Sequence, residues 1–209
     1  MIETLLGKAA YALCTALHKS GPAVLGREIA GIVEKHAIGA AAAGLGAAWI
    51  PGVGGTAAVV ASAGFIWSMY YRINSKIGVP FSKNIVKSVA TAICTNLAAT
   101  AISSIVVSSL LAFVPGLGTL PGTLIMTAVS FSLVWSSGLV YLKVLTRFAE
   151  ANVDLNSVSE EDLKAMAQDV LSKEDIKGMM KQAKQQFKAA KDRGEIKKDG
   201  DNVKPMEDA

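Results

Sequence analysis

The sequence predicts an all-α fold: a membrane helical-hairpin bundle followed by an amphipathic helical tail on the cytoplasmic side. Three observations predict it. No Asp, Glu, Lys or Arg occurs from His36 to Tyr71, nor from Ser88 to Leu142. Each of these stretches is broken by a Pro-Gly turn, "IPGVGG" at 50–55 and "VPGLG" at 114–118. Charge is also segregated, because residues 1–148 carry 10 Lys+Arg and 3 Asp+Glu whereas residues 149–209 carry 11 and 14. A basic, oily body is thus joined to a polar, mixed-charge tail. Hydrophobic residues make up 51% of the 209 and charged ones 18%, which leans away from an ordinary soluble enzyme.

Residues 1–35 read as amphipathic N-terminal helices. Ile2, Leu5, Leu6, Ala9, Leu13, Ala16 and Leu17 share one helical face. Pro22 suits the first turn of a second helix bearing Leu25, Ile29, Ile32 and Val33. Glu3 and Lys8 argue against a secretory signal in "MIETLLGKAAYALC". Both helices are expected to pack on the cytoplasmic ends of the hairpins, with a place in the membrane interface as the alternative.

Residues 36–148 read as two hydrophobic hairpins, 36–71 and 88–148, joined by a basic linker at 72–87. About 20 apolar residues cross the roughly 30 Å hydrocarbon core. At roughly 1.5 Å per residue, arms 88–114 and 122–142 reach about 40 and 32 Å. Arms 36–50 and 55–71 reach only about 22 and 25 Å, leaving a shallow or re-entrant hairpin open beside a full pass. Pro51, Gly52, Gly54, Pro115, Gly116 and Gly118 form the expected turns, since Gly tolerates the positive φ of a tight bend. The two turns match at a constant offset of 64, and "MYYRI" (69–73) matches "VYLKV" (140–144) at 71. A duplicated helix–PGxG–helix unit accounts for both.

Arg72, Lys76, Lys83 and Lys87 in the linker, with Lys143 and Arg147 after the second run, flank the oily stretches with positive charge. Positive flanks favour the cytoplasmic side, and an even number of passes returns the chain there. Both termini are therefore expected in the cytoplasm, in a multi-pass or hairpin-inserted arrangement. Within the arms, Thr95, Asn96, Thr100 and Ser103 are candidates for helix packing or, less simply, for lining a pore.

Residues 149–191 read as a polar helical tail and 192–209 as a disordered end with little apolar content. Ser157-x-x-Glu160 and Ser172-x-x-Asp175 have the spacing of helix starts. Ile176, Met179, Met180 and Phe187 form an apolar stripe, a candidate partner face, beside a lysine-bearing face. A fold-back of this helix onto its own domain explains the same stripe.

The stretch from Ile50 to about Val144, carried by "IPGVGGTAAVV", "MYYRINSKIGV" and "FVPGLGTLPGT", resembles a domain-of-unknown-function family often linked to Era-like GTPase domains. The resemblance implies a membrane-associated helical module beside a nucleotide switch. This chain has no GxxxxGK[ST] motif, so the implied GTPase would act in trans.

The body's acids are Glu3, Glu28 and Glu34, and the two cysteines lie 80 positions apart. Neither a general acid–base pair nor a metal-ligand spacing is apparent, so no enzyme activity, metal or cofactor is expected. Nothing points to nucleic acid. The function expected from these residues is a membrane-anchored recruitment or effector module, with lipid, a GTPase in trans and further copies of the chain as partners. The alternatives are an oligomeric pore-forming protein and a soluble, self-assembling helical protein with buried oily helices.

Overall fold

The computed structural model describes residues 4–47, 54–79, 81–112 and 122–196, and at 44–47, 54–61, 98–112 and 122–126 it describes the helical backbone alone. Among these residues the chain is entirely helical: α1 (Leu5–Ala16), α2 (Pro22–Ala47), α3 (Gly54–Ile77), α4 (Lys83–Ala112), α5 (Gly122–Glu150), α6 (Glu160–Lys173) and α7 (Ile176–Asp192). Pro51, Gly52, Pro115, Gly116 and Gly118 lie outside the described residues, and Gly54 is the first residue of α3.

Helix α1 starts where Thr4 Oγ1 accepts from the Gly7 amide at 3.1 Å, which satisfies an end group the helix leaves open. It buries Leu6, Ala10, Leu13 and Cys14. Pro22 then opens α2, as its fixed φ favours. At Gly26 a Cβ would lie 3.1 Å from the Tyr11 backbone nitrogen, so glycine sets how closely α1 and α2 approach.

Contacts between named residues give the topology. Glu28–Lys76 and His36–Ser68 pair α2 with α3 antiparallel. Tyr70–Ser137 and Asn74–Tyr141 pair α3 with α5 in parallel. Gly78, at φ +76°, ends α3, and α4 turns back so that Lys87 Nζ sits 4.5 Å from the centroid of Trp67. Phe131–Phe187 and Ser136–Met180 set α7 antiparallel to α5.

Helix α5 is the axis of the molecule and packs against each of the other six. From Val129 to Leu142 every residue on it is buried, whichever way its side chain points. A helix that is apolar all round must be covered all round. The cover comes from the apolar faces of α1, α2, α3, α4, α6 and α7, whose buried side chains join one continuous core. Each aliphatic side chain so buried contributes roughly 1.5–3 kcal/mol.

Several sequence boundaries move. The second N-terminal helix does not stop at residue 35; α2 runs unbroken through Lys35 and His36 into the first arm. Helix α5 continues to Glu150, past the expected tail boundary at 149. Most of the 72–87 linker is helical, as the end of α3 and the start of α4. The capping box of α6 is Ser159 with Asp162, two residues after the spacing at Ser157. Asp175 itself caps α7 by accepting from the Gly178 amide, whereas Ser172 donates to the Asp169 carbonyl inside α6.

Gly138 on α5 tests the packing. A Cβ there would lie 2.5 Å from Val33 Cγ1 and 3.1 Å from Met69 Sδ. Val33 is β-branched and has little freedom to move aside. Overpacking of about 1–3 kcal/mol then outweighs the roughly 1 kcal/mol by which alanine favours a helix. Gly138→Ala is expected to lower the urea midpoint, and Gly138→Leu to lower it further. Gly31→Ala in α2, where a Cβ meets nothing within 4 Å, is expected to raise it. The three midpoints, measured together, check the account.

Candidate functional site

A set of buried polar groups lies along the seam where α3 meets α2 and α5. His36 is 1% exposed. Its Nδ1 donates to the Ile32 carbonyl at 2.7 Å, which leaves Nε2 to accept from the Ser68 hydroxyl at 3.3 Å. Burial pushes its pKa down to about 4, with the positive charge of Arg72 acting in the same direction and the bond to Ile32 opposing. Below this bond, Tyr70 and Tyr141 stack with ring centroids 3.7 Å apart and planes 8° off parallel. The Tyr70 hydroxyl donates to the Ser137 carbonyl at 3.0 Å and shares a 2.6 Å bond with Ser137 Oγ. Tyr141 donates to Asn74 Oδ1 at 2.8 Å. Burial raises both phenol pKa values.

This seam holds the three helices in register. A buried polar group left unpaired costs about 1–3 kcal/mol, so sliding one helix past another would break several bonds together. Sequence reading missed the seam as a polar network. Its one visible signal was the match of Tyr70 to Tyr141 at offset 71.

The outer face of α4 holds the pore candidates that are described. Thr95 and Asn96 are exposed, and they bond back to the carbonyls of Thr91 at 2.9 Å and Ala92 at 2.8 Å. They point away from the axis, which Ile93, Leu97 and the tyrosine stack occupy from their sides. Thr100 and Ser103 belong to α4, but their side chains fall outside the described set.

The six flanking cations gather at one end of the bundle, here called the base. Arg72 and Lys76 lie near the end of α3, Lys83 and Lys87 at the start of α4, and Lys143 and Arg147 near the end of α5. Because α3 and α5 are parallel, those three helix ends coincide. Lys76 pairs with Glu28 at 2.7 Å and Lys143 with Glu174 at 2.5 Å. Between α1, α5 and α6, a groove of 380 Å³ is lined by Lys8, Lys143, Arg147 and Lys173 together with Glu150 and Glu174.

The tail stripe faces inward. Met179 and Met180 are buried, Phe187 meets Phe131 edge-on at 5.6 Å, and Ile176 packs against the core. The face read as a partner surface is thus the face that docks on α5. Among the described residues, no group of three or more His, Cys, Asp and Glu side chains is placed to hold a metal ion. Among the described residues one helix is long and apolar enough to cross a membrane, the Thr127–Glu150 part of α5, and 89% of its apolar window is buried inside the protein. No known protein family, curated protein or solved structure matches this chain.

His36 makes the seam testable. Its folded pKa, near 4, lies below the ordinary value of 6.5. Above about pH 6.5 both folded and unfolded states are neutral there, and the contribution is complete. As pH falls from 6.5 toward 4 the unfolded chain takes the proton first, so stability drops. Between about pH 7.5 and 4.5, the wild type is expected to lose roughly 2–3 kcal/mol more than His36→Gln. Urea unfolding of both proteins at the two pH values measures the difference.

Proposed function

We propose that this chain is a non-catalytic, membrane-associated helical module. In this reading its two Pro-Gly-tipped helix pairs enter a bilayer from the cytoplasmic side, and its base stays in water as a platform for a partner. One observation carries it: charge is confined to one end of an otherwise apolar set of long helices. From the base toward the tips, the last charged residue is Lys35 on α2, Arg72 on α3, Lys87 on α4 and Lys143 on α5. Beyond them the helices run to the two Pro-Gly stretches without a charge, a composition that hydrocarbon accepts and water does not. The backbone groups freed at each turn must meet water, headgroups or protein, which favours tips that reach an interface over tips stranded in lipid.

The depth of entry is limited by α7. Its lysines lie beside α5 as far up as the level of Phe131, and a hydrated lysine helix is costly to place in hydrocarbon. The inserted parts in this reading are the charge-free stretches nearest the two Pro-Gly motifs, a hairpin insertion rather than four complete passes. The stacking of Tyr70 on Tyr141, equivalent positions in the two sequence copies, supports a duplicated unit. A GTPase acting in trans on the base is the partner that the family resemblance implies, as an analogy between folds. The pore reading is disfavoured, since Thr95 and Asn96 turn outward and satisfy their own polar groups.

A soluble bundle is the second reading, favoured by the enclosure of α5. The two part on mixing purified chain with lipid vesicles. Insertion predicts flotation with vesicles that resists alkaline carbonate, and helical circular dichroism that is unchanged. Protein left at the bottom of the gradient, or released by carbonate, supports the soluble bundle. Deleting residues 157–209 is not a neutral way to remove a recruiting tail, because it strips α6 and α7 from α5. Such a deletion is expected to aggregate or unfold.

A further inference from the structure

We infer that the tip-ward end of the outer face of α7, at Lys188 and Lys191, is an electrostatic contact for anionic phospholipid, which anchors the module where its helices enter the headgroup layer. The inference rests on the bilayer insertion proposed above and adds the lipid class that the module prefers. Lys177, Lys181, Lys184, Lys188 and Lys191 are all exposed. At about 100° per residue they fall within an arc of roughly 80°, and from first to last they extend about 21 Å along the helix. None has a carboxylate partner among the described residues. The only acids on the helix or its cap, Asp175 and Asp192, lie at its two ends.

Two features favour a lipid surface over a protein groove. The apolar face of α7 is consumed by α5, through Met179, Met180, Ala183 and Ala190. What remains offers charge without the apolar centre on which protein interfaces depend. The stripe is also directional. Since α7 runs antiparallel to α5, from Met180 beside Ser136 to Phe187 beside Phe131, Lys188 and Lys191 lie nearest the charge-free ends of α4 and α5. Lysine stems reach along apolar surface and leave the ammonium in the headgroup layer. Each lysine near an anionic surface strengthens binding several-fold, an effect that salt weakens.

The test uses the full chain with vesicles of phosphatidylcholine alone or mixed with phosphatidylserine. Wild type is expected to float with both and to bind the anionic vesicles at least about tenfold more tightly. Lys188→Gln with Lys191→Gln should remove most of that preference, whereas Lys8→Gln with Lys19→Gln, at the base, should change it less than about twofold. All four positions lie at the surface or partly exposed, and circular dichroism checks that each variant is folded. Equal binding of wild type to both vesicles overturns the lipid preference and leaves insertion standing. Equal losses from the two lysine pairs overturn it as well, since bulk charge would then explain the effect. So does a loss that appears only for duplex DNA offered in place of vesicles. Failure of wild type to float with either vesicle overturns the insertion and this inference together.

Discussion

The structure depends on covering one helix on every side. Helix α5 carries no charge from Gly122 to Leu142, and between Val129 and Leu142 it has no polar face to turn outward. In water it can persist only inside a sheath of other apolar surface. The remaining helices are fitted to that need. Amphipathic α1, α6 and α7 each give up one face to it, and Gly138 lets α5 approach Val33 and Met69. The same sheath bears on function. A stretch enclosed by protein does not meet lipid, however apolar it is, so length and hydropathy overstate how much of α5 a bilayer could receive.

Many of the polar side chains are handled in one of two ways, each suited to its place. Inside, His36, Tyr70, Asn74 and Tyr141 bond across helices and tie α2, α3 and α5 into one register. Outside, on α4, Thr91, Thr95 and Asn96 fold their polar atoms onto their own helix. Back-bonding of this kind leaves a face that asks little of its surroundings. The one hydroxyl beside an imidazole that these groups form, Ser68 with His36, is sealed in the core. The chemistry on display is that of packing and surface charge, which is why the functional proposals concern where the molecule sits and what lies against it.

Much of the fold was legible in the sequence, because helices announce themselves by period and by punctuation. The apolar stripes of α1 and α7 could be read at three- and four-residue spacing, and Pro22 marked the start of α2. The ends of elements were less visible. Lys35 and His36 look like a boundary because charge stops there, yet a helix continues as readily through a change of environment as through none. Ser159 displaced Ser157 as the cap of α6, since both have an acid three residues on and only local geometry chooses between them. The stripe on α7 was plain, but a stripe does not name its partner. That the partner is α5 follows from the need to cover Phe131 and Ser136, a tertiary demand with no local trace. The turns at Pro51 and Pro115 lie outside the described residues, and the duplication they suggest rests on sequence and on one pair of stacked tyrosines.

The central claim, that the tips enter lipid while the base does not, can be read from three tryptophans. Trp67 and Trp135 are buried in the core of the bundle, and Trp49 immediately precedes the first Pro-Gly stretch. The most direct measurement is quenching of tryptophan fluorescence by phospholipids brominated on their acyl chains, in wild type and in Trp49→Phe. The account predicts clear quenching in wild type that disappears in Trp49→Phe. Quenching that survives the substitution would place the core of the bundle in the hydrocarbon, and no quenching in either protein would leave the tips in water; both results contradict the account.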